Sequence, residues 1–230
     1  MEAIKSPIEA EKLQRYFKTV KGEYGEGDQF MGVRMGHLFE LAKEFIAMPP
    51  VEIEKLMESP IHEVRAGGMS IMDKQGRSKK TSESRRKELY DLYMRRHDRI
   101  NSWDLVDLAA PYVVGRYMWD KPRDVLYTLA RSSVVWERRT AMGATGYFIR
   151  QREVDDSFAI AEILVNDPED LIHKVTGWML RASGDVDQPR LLAFLDKHAE
   201  TMPRTLLRYS MEHLDKDVRQ CYLAKKKQKV

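Results

Sequence analysis

The chain is poor in the features that mark several common protein classes. Among its 230 residues there is one cysteine, Cys221. A lone thiol closes no internal disulfide and builds no Cys-based zinc site, so Cys221 reads as a helix residue in a reducing compartment. No apolar run approaches the roughly 20 residues of a membrane-crossing helix. Met1 to Ser6 is too polar for a secretory signal. No Gly-rich phosphate loop follows a strand, which argues against a nucleotide-dependent enzyme. His37, His62, His97, His173, His198 and His213 are scattered, with no i, i+4 pair for a metal. There is no Gly-x-Ser-x-Gly elbow, and no series of alternating strands joined by hairpin turns. The expectation is a protein without cofactor or metal, whose chemistry runs on carboxylate, aromatic and arginine groups.

What is present is a globular balance of 43% hydrophobic and 33% charged residues, with a net charge of only +3. The distribution of charge says more than its sum. Lys74 to Arg99 holds ten basic residues (Lys74, Arg77, Lys79, Lys80, Arg85, Arg86, Lys87, Arg95, Arg96, Arg99) against four acids. Arg219 to Val230 holds five basic residues and no acid. Such tracts suit an anionic partner that meets one surface, and equally a solvated helix face with a frayed basic tail at about 225–230.

Helical signals recur along the whole chain. Ser6-Pro7-x-Glu9 has the form of a capping box with proline at the first helical position. Leu13, Tyr16, Phe17 and Val20 follow at helical spacing. Beyond a Gly-rich link, Gly22 to Asp28, the residues Leu38, Leu41, Ala42 and Phe45 mark another helix. Met48-Pro49-Pro50 stops it, because a residue before proline is driven from the helical region. Val51 to Glu58 reads as a short helix, closed by Ser59-Pro60. Segments starting at Ser59, Ser133 and Asp170 share one pattern: a turn, a few polar residues, then a helix with small residues on its packing face. Met202 to His213 and Asp215 to Ala224 look like a further pair. A period of roughly 35 to 40 residues with paired helices predicts an all-α, right-handed α-solenoid of HEAT-like, armadillo-type repeats. Ala66, Gly67, Gly68, Ala141, Gly143, Ala144 and Gly177 would let helices approach closely. The expected domain organisation is one repeat domain over residues 1–230.

Three short segments stand out for chemistry. In Asn101-Ser102-Trp103-Asp104-Leu105-Val106-Asp107, Ser102 can cap a helix on which Trp103 and Asp107, at i and i+4, share a face. Leu105, Leu108 and Ala109 would face the core. A half-buried anchor beside a solvated first-turn acid explains the same residues without chemistry. Trp136-Glu137-Arg138-Arg139 offers paired arginines suited to phosphate, or to a surface face. Gly177-Trp178-Met179-Leu180-Arg181 places Trp178 and Arg181 on one face.

Taken in order, these three segments resemble the bacterial DNA alkylation repair glycosylases of the AlkD type, over about residues 30–215. The Trp-Asp-x-x-Asp segment is similar to that family's catalytic segment, which implies Asp107 as the catalytic carboxylate and Trp103 as one wall of the site. The Trp-x-x-Arg-x-Ala segment implies a site- and phosphate-contacting role for Arg139, with Arg138 beside it. The segment from Lys174 to Arg181 implies Trp178 as the second aromatic wall, with Lys174 and Arg181 toward the DNA backbone. The separation of 39 residues from Arg139 to Trp178 also fits. Near Phe30 to Arg34 the family usually continues with a proline and, three residues later, an arginine; here Gly36 and Phe39 stand in those places. Arg34 remains a candidate DNA contact, and Lys79, Lys80 and Arg85 are candidates that would compensate.

The resemblance implies a monomeric, monofunctional enzyme of the bacterial cytoplasm that removes cationic N3- or N7-alkylated purines from double-stranded DNA. A base that already bears positive charge leaves neutral and needs no strong general acid. A carboxylate then suffices to stabilise an oxocarbenium-like sugar and to aim water at it. No lysine stands out for a Schiff base. Two other readings share the fold: a scaffold for a protein partner, and a protein that binds DNA structures without excising bases.

Overall fold

The computed structural model describes residues 2–225, so the basic tail expected at about 225–230 lies almost wholly outside the described residues. Among these residues there is no β-strand, only an isolated parallel bridge between Gln29 and Ile61. The architecture is all-α and repeat-like, with each helix packed on helices one or two places away in sequence. Packing divides the chain into two compact units, residues 1–117 and 118–230.

The first unit opens with α1 (Pro7–Tyr16), where the Ser6 hydroxyl accepts from the Glu9 amide at 3.3 Å and Pro7 takes the first position. Then come α2 (Met35–Glu44), α3 (Pro50–Met57), α4 (His62–Arg77), α5 (Glu83–Arg95) and α6 (Trp103–Ala109). The starts expected from the Ser-Pro and Pro-Pro signals fall within one residue of these bounds. α1 itself contributes no buried residue, and Tyr16 and Val20 are exposed; of the expected apolar stripe only Phe17, just past the helix, is buried.

α4 is the axis of this unit. α2, α3, α5 and α6 all pack against it, and it is buried nearly all round. Its N-terminus is clamped to the link between α1 and α2. Glu63, 1% exposed, accepts from the backbone amides of Met31, Gly32 and Val33 at 3.1, 2.8 and 3.2 Å. A carboxylate in the first turn of a helix is where the helix dipole favours one. Gly32 makes the clamp feasible: its φ is +77°, and a Cβ there would lie 2.0 Å from the Ser6 carbonyl oxygen. The other end of α4 is closed by arginines. Arg86 donates to the carbonyls of Gly76 and Ser78, and Arg116 to those of Gly76 and Arg77.

α6 does not end cleanly. It runs into a π-helical stretch, Ala110–Gly115, and then a short turn, α7 (Arg116–Met118), with the Arg116 amide bonded to the Pro111 carbonyl. Pro111 supplies the reason. It has no N–H for a bond to Asp107, four residues earlier, and its ring crowds that carbonyl. Widening the helix by one residue relieves both.

The second unit contains α8 (Asp124–Leu129), α9 (Val135–Arg150), α10 (Asp155–Leu164), α11 (Asp170–Gly184), α12 (Gln188–His198), α13 (Arg204–Ser210) and α14 (Lys216–Ala224). α11 is its axis, packed by α9, α10, α12 and α13. The small-residue expectation holds most clearly at Gly177, where a Cβ would lie 2.4 Å from the Tyr209 Cβ and 2.9 Å from the Leu206 carbonyl oxygen. It does not hold at Gly67 and Gly68, whose nearest neighbours would stand 3.4 Å away, an ordinary contact.

Candidate active site

In the first unit, Trp103 and Asp107 line one cavity of about 640 Å³. Tyr16, Phe17 and Phe39 give it aromatic walls, while Asp73, Lys74 and Arg77 project from α4. Leu108 also lines it and is half-buried, which corrects the expectation that Leu108 points into the core; Leu105 and Ala109 do so, each 0% exposed. The i, i+4 spacing thus sets an indole and a carboxylate side by side on an accessible face of α6.

Two ring contacts and a hydrogen bond fix the indole. The Phe17 ring stacks on it, centroids 5.7 Å apart and planes within 8°, and Tyr16 meets it edge-on at 6.0 Å. The Trp103 side chain also hydrogen-bonds the Tyr24 hydroxyl. Burial holds that hydroxyl above the ordinary tyrosine range, although the Trp103 hydrogen bond acts in the opposite direction. Each aromatic pair is worth about 0.5–1.5 kcal/mol beyond the area it buries.

Behind this edge lies a buried ionic network that sequence reasoning missed. His62, 1% exposed, sits between two carboxylates: Nε2 is 2.8 Å from Asp104 Oδ2 and Nδ1 is 3.2 Å from Asp28 Oδ2. Arg65 reaches Asp28 at 2.7 Å, and Asn101 donates to the same carboxylate at 2.9 Å. Burial pushes the His62 pKa down, but hydrogen bonds and charge from Asp104 and Asp28 outweigh it and raise the value to about 9. The Asp28 carboxyl is held below its usual range: burial raises it, and the bonds from His62, Asn101 and Arg65 more than reverse that. Ser102 has the extended backbone of an N-cap, yet its hydroxyl donates to Asp104 Oδ1 at 2.7 Å and makes no cap hydrogen bond, contrary to the capping expectation. Asp104 stands inside the Trp-Asp-x-x-Asp motif, so its position was signalled; its partners His62 and Asp28 are remote in sequence and carried no local signal.

Asp73, on the cavity wall, pairs with Arg77 at 2.7 Å, and the Arg77 guanidinium lies 3.9 Å above the Tyr112 ring. Of the candidate phosphate contacts in this unit, Arg34, Lys79 and Lys80 are exposed. Arg85 is half-buried, with Glu88 at 3.4 Å.

In the second unit, Trp178 projects from α11 with 39% exposure, while its neighbours Gly177 and Met179 are buried. Arg139 is 4% exposed, and one of its guanidinium nitrogens donates to the Leu171 carbonyl, tying α9 to the start of α11. Arg138 grips Asp167 with two nitrogens, Nε at 2.6 Å and Nη2 at 3.2 Å, and donates to the carbonyls of Ser132 and Ser133. Arg181 is paired with Glu212, and Lys174 with Asp170 at 2.7 Å. Arg138, Arg139 and Arg181, expected at phosphate, therefore already carry bonds within their own unit.

Among the described residues, no group of three or more His, Cys, Asp or Glu side chains is placed to hold a metal ion, and no helix is long and apolar enough to cross a membrane.

Paired helices, an aromatic cavity with a carboxylate on its wall, and arginines at helix starts define an all-α helical-repeat protein. The chain belongs to the DNA alkylation repair enzyme family, whose profile matches residues 1–214. A solved structure described as a predicted DNA alkylation repair enzyme from Enterococcus faecalis is similar over 92% of this chain and 97% of that one, with a TM-score of 0.70 and 17% identity. At that identity the likeness is one of fold. No curated protein sequence matches the chain.

Proposed function

We propose that the protein is a monofunctional DNA glycosylase of the AlkD type, hydrolysing the N-glycosidic bond of cationic N3- or N7-alkylated purines in double-stranded DNA. The observation that supports this reading best is the pairing of Trp103 with Asp107 on the wall of one 640 Å³ cavity. An alkylated purine carries positive charge, and an indole face attracts a cation by about 0.5–2 kcal/mol. That attraction weakens when the base departs neutral, which favours damaged over normal purines. Asp107 faces the charge that develops on the sugar and orients the attacking water, as a carboxylate does for other glycosyl transfers.

Trp178 and Arg139 enter this reading through the motif resemblance. An exposed indole on α11 is available to a ligand, while the burial of Arg139 makes it a brace for that helix as well as a candidate phosphate contact. Exposed Arg34, Lys79 and Lys80 suit the backbone of a duplex, whose phosphates would supply most of the affinity and its salt dependence.

The deciding experiment is base release from methylated duplex DNA. Asp107→Asn is expected to lower 7-methylguanine excision at least about tenfold while duplex binding persists. Equal excision by both proteins removes Asp107 from the mechanism. Release of no base by the folded wild type overturns the glycosylase reading and leaves a scaffold for a protein partner or a binder of DNA structures.

A further inference from the structure

The buried network beneath α6 is a large investment for a small helix. Two carboxylates and two cations are withdrawn from water, and each ion carries a desolvation penalty. His62 also stands at the first position of α4, where the helix dipole disfavours a cation. A purely structural demand at this place would be met as well by apolar side chains, which often replace buried ion pairs without loss of stability.

The geometry of the network is directed at the cavity. Asp104 lies between Trp103 and Asp107 on α6, and His62 holds it at 2.8 Å while Ser102 holds its other oxygen at 2.7 Å. The His62 ring also packs on the aromatic series that ends at Trp103. It lies 4.6 Å from the Phe17 centroid and stacks on Phe30 at 4.9 Å. Phe17 in turn stacks on Trp103. His62 therefore reaches the Trp103 edge by two routes, one ionic through Asp104 and one through ring contacts.

We propose that His62, bridging Asp28 and Asp104, is the positioning residue that sets the angle at which α6 presents Trp103 and Asp107 to the cavity. Its link to catalysis rests on the glycosylase reading above; its link to the Trp103 ring does not. While His62 is charged, Asp104 is drawn onto it and the indole is pressed against Phe17. When the ring loses its proton, one of the two carboxylates faces a lone pair, and the contact to α6 loosens. The charged and titratable groups around His62 are Asp28 from the 22–34 link, Asp104 from α6, and Glu63 and Arg65 from α4 itself. Tyr24, which bonds the indole, is held above the ordinary tyrosine value of 10.0 and titrates later.

The test reads Trp103 directly. In ¹⁵N-labelled wild-type protein, the indole N–H resonance of Trp103 is identified by its loss in Trp103→Phe and followed from pH 7 to 10.5. It is expected to shift with a midpoint near 9, together with the His62 ring resonances. In His62→Gln that transition is expected to vanish. Single-turnover excision from methylated duplex should fall at least about tenfold in His62→Gln, while duplex Kd changes less than threefold, and the alkaline limb of the wild-type rate profile should be lost. A Trp103 resonance that stays fixed while His62 titrates overturns the proposal, and this measurement needs no variant of His62 to fold. Full excision by His62→Gln with an unchanged alkaline limb overturns it equally. If the wild type releases no base, the glycosylase reading fails, and the indole titration alone still decides whether His62 positions Trp103.

Discussion

The rings of Trp103 and Phe17 lie parallel, within 8° and 5.7 Å of each other. Phe17 falls just beyond α1, and Trp103 opens α6, so the contact joins the chain's first helix to the candidate catalytic helix. The stack leaves one indole face committed to the protein.

Replacing Phe17 tests that relationship. Phe17→Leu keeps an apolar side chain but removes the parallel ring. Stability is expected to fall by about 1 kcal/mol in urea denaturation. Excision of 7-methylguanine should fall several-fold, because the indole loses its support. A drop in stability with unchanged excision would show that Phe17 serves packing alone.

The His62 network predicts a stability profile with a definite sign. A histidine whose pKa rises from 6.5 to about 9 on folding stabilises the native state fully below pH 6.5. That contribution declines as pH climbs through 9. The interval corresponds to roughly 3 kcal/mol for the buried network as a whole. Urea midpoints of the wild type should therefore fall between pH 7 and pH 10 more steeply than those of His62→Gln. Parallel profiles for the two proteins would contradict the assignment.

Two glycines should respond in opposite ways to alanine. Gly177→Ala drives a methyl to 2.4 Å from the Tyr209 Cβ, so α11 and α13 must separate, at about 1–3 kcal/mol. Gly67→Ala meets the Leu38 Cδ1 at 3.4 Å in a helix interior, where alanine's propensity is worth up to about 1 kcal/mol. Thermal melts should move down for the first and stay level or rise for the second.

Arg138 allows stability and DNA contact to be separated. Its side chain is 11% exposed and that of its partner Asp167 is 5% exposed. Asp167→Asn leaves a mostly buried guanidinium without its counter-charge and should cost about 3 kcal/mol. Arg138→Gln should likewise lower the melting temperature while the salt slope of duplex binding stays the same. A flattened salt slope with unaltered stability would return Arg138 to the phosphate.

Several helix starts were readable from residues alone because the signals are local; the ends were less so, since α1 closes at Tyr16 short of Val20, α2 at Glu44 short of Pro49, and α6 passes into a π-helical stretch. Ser6-Pro7, Pro49-Pro50 and Ser59-Pro60 act on the backbone of their immediate neighbours, and i, i+4 spacing places Trp103 beside Asp107 in any helix that includes both. The all-α class follows from the same local rules repeated along the chain. What required the tertiary structure was everything that depends on distant partners. Asp28 and His62 are 34 residues apart, and His62 and Asp104 are 42 apart, so no window of sequence could reveal that they share one buried site. The employment of Arg138 by Asp167, the burial of Arg139, and the turning of the Ser102 hydroxyl toward Asp104 were hidden for the same reason. A side chain's type announces what bonds it can form, but which bond it forms is decided by the groups that folding brings within about 3 Å.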